Sequence, residues 1–468
     1  MDRATTIGEL RASGYPDRTI KEELRENLLA KLRAGEELFS GLVGFDDSVL
    51  PAIERGILAG HDLILLGERG QAKTRLVRAI VGLLDEALPV IAGCEINDHP
   101  YRPICARCRG VVAADPDGVE LRWLAREDRY AEKLATPDTS VGDLIGDVDP
   151  IKVAEGRSLG DELTIHYGMI PRTHRGIVAI NELPDLPERI QVSLFNILEE
   201  RDVQIRGYRI RLPLDLLLVA TANPDDYTHR GRIVSPLKDR FGTQVRTHYP
   251  ETVAQEIQIM AHEAALADSA IPVRVPAFMT EIVASLTQEL RRSPHINHRS
   301  GVSVRYSIGN LETLQAAAVR RAARAGEPEA VPRVCDLNAV LLSSEGRVEF
   351  DTIEEGREPE ILARALRTAE LEVFRRRLSG FDLSAILQRF DEGFALETSD
   401  LTPASELLAA FGDLPGLAKM LSRLGVEEES PGVAASALEF ALEGLHLSRR
   451  LNKAGGDGEA KYTAPAGS

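Results

Sequence analysis

The run Gly67-Glu68-Arg69-Gly70-Gln71-Ala72-Lys73-Thr74 brings two glycines, a lysine and a hydroxyl together. Such a set can hold a polyphosphate: main-chain N–H groups point inward, an ammonium meets the β/γ oxygens, and a hydroxyl reaches Mg²⁺. The pattern G-x-x-x-x-G-K-[ST] is met except at Ala72, which stands in the second glycine slot. That slot is the entry to a helix, where no positive φ is expected, so a methyl is the smallest possible departure. Further on, "GIVAINELPDL" is an apolar strand that ends in Asn181 and Glu182. A nucleotide hydrolase needs one carboxylate behind the Mg²⁺ water shell and a second to activate the attacking water. Glu182 stands where that base belongs, and Asn181 occupies the aspartate slot. An amide accepts from metal-bound water but carries no charge. A unit charge pair ~4 Å apart is worth ~4 kcal/mol at an effective dielectric of ~20. Weakened metal binding and slow turnover are therefore expected, with Thr74 and the phosphates still holding Mg²⁺.

A third group is Cys94-x4-His99-x5-Cys105-x2-Cys108. Three thiolates and an imidazole make a common tetrahedral zinc set, and four protein ligands would make the ion structural, with no open position. The stretch around them has no hydrophobic period and needs something to hold it. Two other readings stay open: reduced cysteines in a loop with a solvent-exposed His99, and a redox Cys-x-x-Cys, although no thioredoxin-like setting surrounds it.

These groups need elements to position them. "HDLILLG" before the loop is an uninterrupted apolar run of strand length, and "TRLVRAIVGLL" after it reads as a helix. Up to about residue 250, strand-like "LPVIAG", "GIVAIN", "DLLLVATA" and "TQVRTHYP" alternate with helical stretches such as "PERIQVSLFNILEE". That alternation predicts an α/β domain with a parallel sheet. "DVQIRGYRIRLPLD" reads as a hairpin turning at Gly207–Tyr208. The expected order is an N-terminal helical segment (1–40), the α/β nucleotide domain (41–250, with the zinc knuckle at 94–108), a helical lid (251–345), further C-terminal helices (346–452) beginning with a linker at 345–360, and a disordered tail (453–468). After Pro250 no strand signal remains.

Composition bounds the rest. The chain has 468 residues, 43% hydrophobic and 28% charged, with net charge −17. It carries no apolar run long enough to span a membrane, and its start lacks a secretory pattern, so a cytoplasmic protein is expected. The acidity gives no support for nucleic-acid binding. Four cysteines in such a length do not make a disulfide scaffold.

In this order, the pieces resemble the AAA+ ATPases, in the branch of the magnesium chelatase ATPase subunit and MoxR-type proteins, over about residues 35–345. "VGDLIGDVDPIKVAEGRSLGDELTIHYGMIPRTHRGIVAINEL" is similar to that branch's insert, with "GMIPRTHRG" (Gly168–Gly176) before the second strand. The resemblance implies a P-loop NTPase core with a helical lid and places Asn223, in "LLLVATANPDD", as the sensor beside the γ-phosphate. It makes Arg240, in "SPLKDRFG", a finger acting in trans on a neighbouring copy, and Arg305, in "SGVSVRYSIGN", the second sensor. A trans-acting arginine implies a homo-oligomeric ring, a hexamer by the same resemblance; a guanidinium of that kind contributes ~10³–10⁵ in rate. Salt-bridge, capping and turn roles for Arg240, Arg305 and Asn223 remain open from the residues alone.

The expected function is an ATP- and Mg²⁺-dependent ring ATPase that remodels or activates a partner. The resemblance points to a separate partner with a metal-dependent adhesion-type domain, since no strand after residue 345 ends in Asp-x-Ser-x-Ser. The alternatives are a nucleotide-gated scaffold in which Asn181 makes hydrolysis negligible, and a true chelatase motor subunit. A ring-type transcription activator would carry a "GAFTGA"-like loop and a basic DNA-binding module, and neither is found in the sequence.

Overall fold

The computed structural model describes residues 3–155, 162–200, 203–205, 208–210, 212–223, 232–265, 270–297, 301–351, 356–412, 416–426, 430–455 and 459–465; for residues 200, 203–205 and 208–210 it describes the backbone alone. The chain divides into two compact units, Met1–His248 and Tyr249–Ser468.

The first unit opens with helices α1 (Ile7–Ala12), α2 (Ile20–Ala34) and α3 (Val49–Leu58). α2 starts where it does because Thr19 and Glu22 cap each other's backbone N–H groups, and it stops at Gly35, whose φ is 67°. Then come β1 (Leu63–Leu66), α4 (Lys73–Val81), β2 (Ala87–Ile91), α5 (Ala106–Ala114), β3 (Leu121–Ala125) and β4 (Tyr130–Leu134). An insert follows: α6 (Val141–Leu144), β5 (Gly146–Val148), α7 (Pro150–Ala154), β6 (Ile165–Tyr167) and α8 (Met169–Arg172). The unit closes with β7 (Gly176–Asn181), α9 (Glu188–Glu200), β8 (Val203–Ile205), β9 (Tyr208–Ile210), β10 (Leu216–Ala222), α10 (Ser235–Arg240) and β11 (Thr243–Arg246).

Five strands form one sheet in the order β11-β1-β10-β7-β4, and every pair in it is parallel. Period-two alternation sorts its side chains onto two faces. Leu63, Leu65, Ile177, Ala179, Leu217 and Val219 join the core shared with α2, α3 and α4. Ile64, Leu66, Val178, Ile180, Leu216 and Leu218 face the other core, with α9 and the insert. Both faces are covered, which is why β1, β7 and β10 read as continuous apolar runs. The hairpin at β8–β9 is present, Ile205 pairing with Tyr208, while Gly207 of its expected turn lies outside the described residues. α2 is bound to this core through a buried ion pair: both Arg129 η-nitrogens donate to Glu23, at 2.7 and 2.6 Å, and neither side chain is more than 3% exposed.

The second unit contains α11 (Val253–Glu263), α12 (Ala277–Arg292), α13 (Val304–Ala325), α14 (Leu337–Ser344), α15 (Glu358–Leu378), α16 (Ser384–Asp391), β12 (Leu396–Ser399), α17 (Ala404–Phe411), α18 (Leu417–Arg423), α19 (Pro431–Leu447), β13 (Asn452–Ala454) and β14 (Glu459–Thr463). One apolar core joins α12, α13, α15 and α19, with Phe278 and Phe440 stacked at 4.7 Å. Three features depart from the sequence expectation. Strands do occur beyond Pro250: β12, β14 and β13 form a small antiparallel sheet. The expected disordered tail supplies two of those strands, because Tyr462 is buried and its hydroxyl donates to Glu443 at 2.8 Å. Within the expected linker, Val348 is buried and Phe350 bridges Ile296; residues 352–355 lie outside the described residues.

Candidate functional site

Parallel strands deliver their carboxyl ends to one edge of the sheet, where ligands of open α/β sheets bind. The registers align Leu66 with Ala222 and Ala220 with Ile180, so the Gly67 loop, Asn223 and Asn181 emerge side by side. Gly67 donates its N–H to the Ala222 carbonyl at 3.0 Å. A Cβ at Gly67 would lie 1.9 Å from Thr247 Oγ1 and 2.3 Å from Gln71 Oε1, so only glycine fits. Gln71 is buried and braces the loop from inside, accepting from Glu68 N–H at 3.1 Å and from the Thr247 hydroxyl at 2.8 Å. Gly70 has φ 77°. Lys73 is buried, and its ammonium donates to the Gly67 and Glu68 carbonyls. Glu68 and Arg69 are loop positions, and Thr74 is the second residue of α4. No side chain caps α4, and the start of a helix is a setting that suits an anion.

Ala72 corrects the sequence reading. It adopts the left-handed conformation, φ 54° and ψ 17°, as the N-cap of α4. The second glycine of the pattern is therefore a conformational requirement here, and alanine meets it at a strain of roughly 1 kcal/mol.

Glu182 is also held at positive φ, 55°, directly after β7. Its N–H donates to Thr221 Oγ1 at 3.1 Å, and the Thr221 hydroxyl donates to Asn181 Oδ1 at 3.3 Å. Strain of this kind at a strand end persists where the surroundings impose it. Asn223, just beyond β10, is buried.

Sequence reasoning missed Glu132. It sits on β4, beside β7, and Asn181 Nδ2 donates to its Oε1 at 2.5 Å. Its other oxygen accepts from Tyr130 at 2.8 Å and from Arg78 at 3.1 and 3.0 Å. Burial alone pushes this carboxyl up, but the donors from Tyr130, Arg78 and Asn181 outweigh burial and hold it below the usual range. Burial pushes the neighbouring Tyr130 phenol up, and the adjacent Glu132 adds to that. Arg78 lies one turn after Thr74 on α4, and residues four apart share a helix face, so that face is turned toward β4. A carboxylate thus stands beside Asn181 although the aspartate slot has none. "YAEKL" carries no apolar run that would have marked it as a strand.

Arg240 ends α10. It pairs with Glu199 at 2.8 Å, lies over the Phe195 ring at 5.1 Å, and keeps 42% of its side chain exposed. Arg305 belongs to the second unit, in the first turn of α13, where Ser303 caps its N–H at 3.1 Å.

The zinc set also changes. Cys94, Cys105 and Cys108 come together, but the fourth member is Asp98, not His99. His99 Nδ1 accepts from Tyr101 N–H at 3.0 Å, and Nε2 faces Asp17 at 3.3 Å without hydrogen-bond alignment. The residue before the pair, Asn97, has φ 57°, a turn that aims Asp98 at the thiols and His99 away from them.

Comparison with known proteins finds relatives among magnesium-chelatase subunits. A magnesium-chelatase 38 kDa subunit of Rhodobacter capsulatus is 27% identical over 238 residues, 47% of this chain and 59% of that protein. A magnesium-chelatase subunit ChlI homolog of Methanocaldococcus jannaschii is 26% identical over 207 residues, 42% of this chain and 51% of the relative. This chain is a AAA+ protein related to the ATPase subunit of magnesium chelatase. The matches span a little over half the length of those relatives. The family model of the Sigma-54 interaction domain matches residues 159–237 of this AAA+ chain, the part that contains β7, Glu182 and Asn223. Among solved structures, a complex of the magnesium chelatase subunits BchI and BchD aligns with 69% of this chain and 98% of its own, at 19% identity and a TM-score of 0.36. NtrX from Brucella abortus aligns over 78% and 72%, at 16% identity and a TM-score of 0.41. No helix among the described residues of the AAA+ chain is long and apolar enough to cross a membrane.

Proposed function

We propose that this AAA+ chain binds and hydrolyses ATP at the seam between copies of itself in a ring, a hexamer by kinship, and uses the cycle to remodel or activate a separate partner protein. The observation that carries this reading is the convergence of three features on one sheet edge: the braced Gly67–Thr74 loop, strained Glu182 and buried Asn223. Lys73 and the uncapped start of α4 would hold the phosphates, Glu182 would take the proton of the attacking water, and Asn223 would orient the γ-phosphate. Arg240, half-exposed on α10, would reach into a neighbouring copy and stabilise charge developing in its site. Arg305 would serve as the second sensor.

The donor set suits Mg²⁺: the Thr74 hydroxyl, the Asn181 amide, and the Glu132 carboxylate that Asn181 contacts. Bound with the nucleotide, Mg²⁺ would neutralise charge on the β- and γ-oxygens. Glu132 restores the local negative charge that Asn181 lacks, and Asn181 links it to the site. This favours hydrolysis over the alternative of a nucleotide-gated scaffold. The partner would be a polypeptide with a metal-dependent adhesion-type domain, by kinship with the chelatase, and a true chelatase role is one form of the same activity.

Purified protein should hydrolyse ATP only with Mg²⁺, assemble to a ring-sized particle with nucleotide, and lose at least ~10²-fold in rate as Glu182→Gln while still binding ATP. Equal rates for wild type and Glu182→Gln would leave the scaffold reading. A strict monomer with saturating nucleotide would overturn the ring.

A further inference from the structure

The stretch from the end of β2 into α5 contains a second constellation, unconnected with the phosphate loop. Cys94, Asp98, Cys105 and Cys108 each direct one donor atom to a common point, all four atoms lying within 4.8 Å of one another. All four residues are buried: Cys94 at 8% exposure, Cys105 at 7%, Cys108 and Asp98 at 0%. The cysteines are free thiols. Each sulfur accepts a donor: Asp98 N–H to Cys94 Sγ at 3.4 Å, Cys108 N–H to Cys105 Sγ at 3.3 Å, and Arg107 Nη1 to Cys108 Sγ at 3.6 Å. The Asp98 oxygens accept from Ile104 N–H at 2.9 Å and Cys105 N–H at 3.0 Å, which fixes the carboxylate against the start of α5.

Three thiols and a carboxyl gathered in one buried space can all ionise only if a cation compensates them. Four ligands at Zn–S ≈ 2.3 Å and Zn–O ≈ 2.0–2.2 Å have ligand–ligand separations of roughly 3.5–3.8 Å in a tetrahedron, inside the spread seen here. A redox role fits less well, because a reactive cysteine is partly exposed and these three are not.

We infer that Cys94, Asp98, Cys105 and Cys108 bind one Zn²⁺ ion as a closed, structural site with three thiolates and one carboxylate. Three thiol protons pass to solvent on binding, and no position is left for substrate. Residues 92–105 contain neither helix nor strand, so the ion takes over the fastening that regular hydrogen bonding would give. Its effect reaches the insert: Asn97 Nδ2 donates to the Arg172 carbonyl at 2.8 Å, and the first N–H of α5, Ala106, donates to Glu162 at 2.7 Å. The ion therefore fixes the ground on which the segment ahead of β7 rests.

The test is metal content of the full chain, purified reduced and without chelator. Plasma mass spectrometry should find about one zinc per chain. His99→Ala should keep it, Cys108→Ser should lose it, and Asp98→Asn should weaken it ~10-fold or more against a chromophoric chelator. Cobalt loaded into wild type covers the case in which the cysteine variants do not fold: thiolate-to-cobalt charge transfer with the intensity of three sulfurs, and d–d bands of a tetrahedral site, are expected. Zinc below ~0.1 per chain after reconstitution, a cobalt spectrum without thiolate bands, a native disulfide among these cysteines, or loss of zinc in His99→Ala but not in Asp98→Asn would each overturn the assignment. None of these readouts involves nucleotide, so failure of the ATPase proposal would not be mistaken for failure of the zinc site.

Discussion

Restoring the usual aspartate by Asn181→Asp should harm the protein before it helps. Asn181 Nδ2 now donates to Glu132 Oε1 at 2.5 Å, so the change would set two carboxylates against each other. With charge centres ~4 Å apart and an effective dielectric of ~20, the repulsion is ~4 kcal/mol. Arg78 remains bonded to Glu132, whose side chain is 20% exposed, so about half of that, ~2 kcal/mol, should survive. The shared pair then has a folded-state pKa raised above the unfolded values of ~4. The loss relative to wild type is accordingly absent below that pH and grows as pH rises through the raised value. Urea unfolding followed by the emission of Trp123, the single tryptophan and a residue of the first unit, reads this directly. Asn181→Asp should lose ~2 kcal/mol at pH 8 and about none at pH 4. Adding Glu132→Gln should return it to wild type, and Mg²⁺ with nucleotide should rescue the single variant more than wild type. A single variant as stable as wild type at pH 8, or one not rescued by Glu132→Gln, would refute the proposed partnership of Glu132 and Asn181.

Two further outcomes follow from the same site. Arg240→Ala should leave nucleotide affinity within ~2-fold but cut turnover ~10³-fold, and mixing it with Glu182→Gln subunits should recover part of the rate; if Arg240 only pairs with Glu199, the change should cost less than ~1 kcal/mol of stability and leave turnover intact. Ala72→Gly should raise the melting temperature of the first unit by about 2 °C, since roughly 1 kcal/mol of backbone strain is released against a smaller gain in unfolded-chain entropy; a fall in melting temperature would mean that the φ of 54° costs nothing.

The phosphate loop was readable because its chemistry is contiguous and its strand is buried on both faces. The same holds for β7 and β10, whose apolar runs mark them as buried strands; Glu182 follows from the end of the first, whereas Asn223 was singled out by the family resemblance. β4 was invisible for the opposite reason: it is the last strand of the sheet, and Tyr130, Ala131, Glu132 and Lys133 are only half-buried, so no apolar signal marks it. β14 has a faint period of two, Ala460 and Tyr462, too short to stand out in a stretch rich in glycine and small residues. The cysteine spacing pointed to a cluster, but whether Asp98 or His99 joins it depends on one backbone turn at Asn97, which the spacing does not encode. Ala72 failed in the same way, since a dihedral angle at a helix entry is set by the loop it closes.

The ion pair between Glu23 and Arg129 sets where this nucleotide-binding unit can be trimmed. Starting the chain at residue 41 would delete Glu23 together with the core residues Ile20, Leu24 and Leu28, and leave the Arg129 guanidinium without its carboxylate. Taking one partner from such a pair costs on the order of 3–5 kcal/mol, a large share of what any domain has to spare. The leading helices thus behave as an internal strut of the first unit, and a shortened version that keeps the whole Gly67–Thr74 loop should still fail to fold, even with Arg129 replaced.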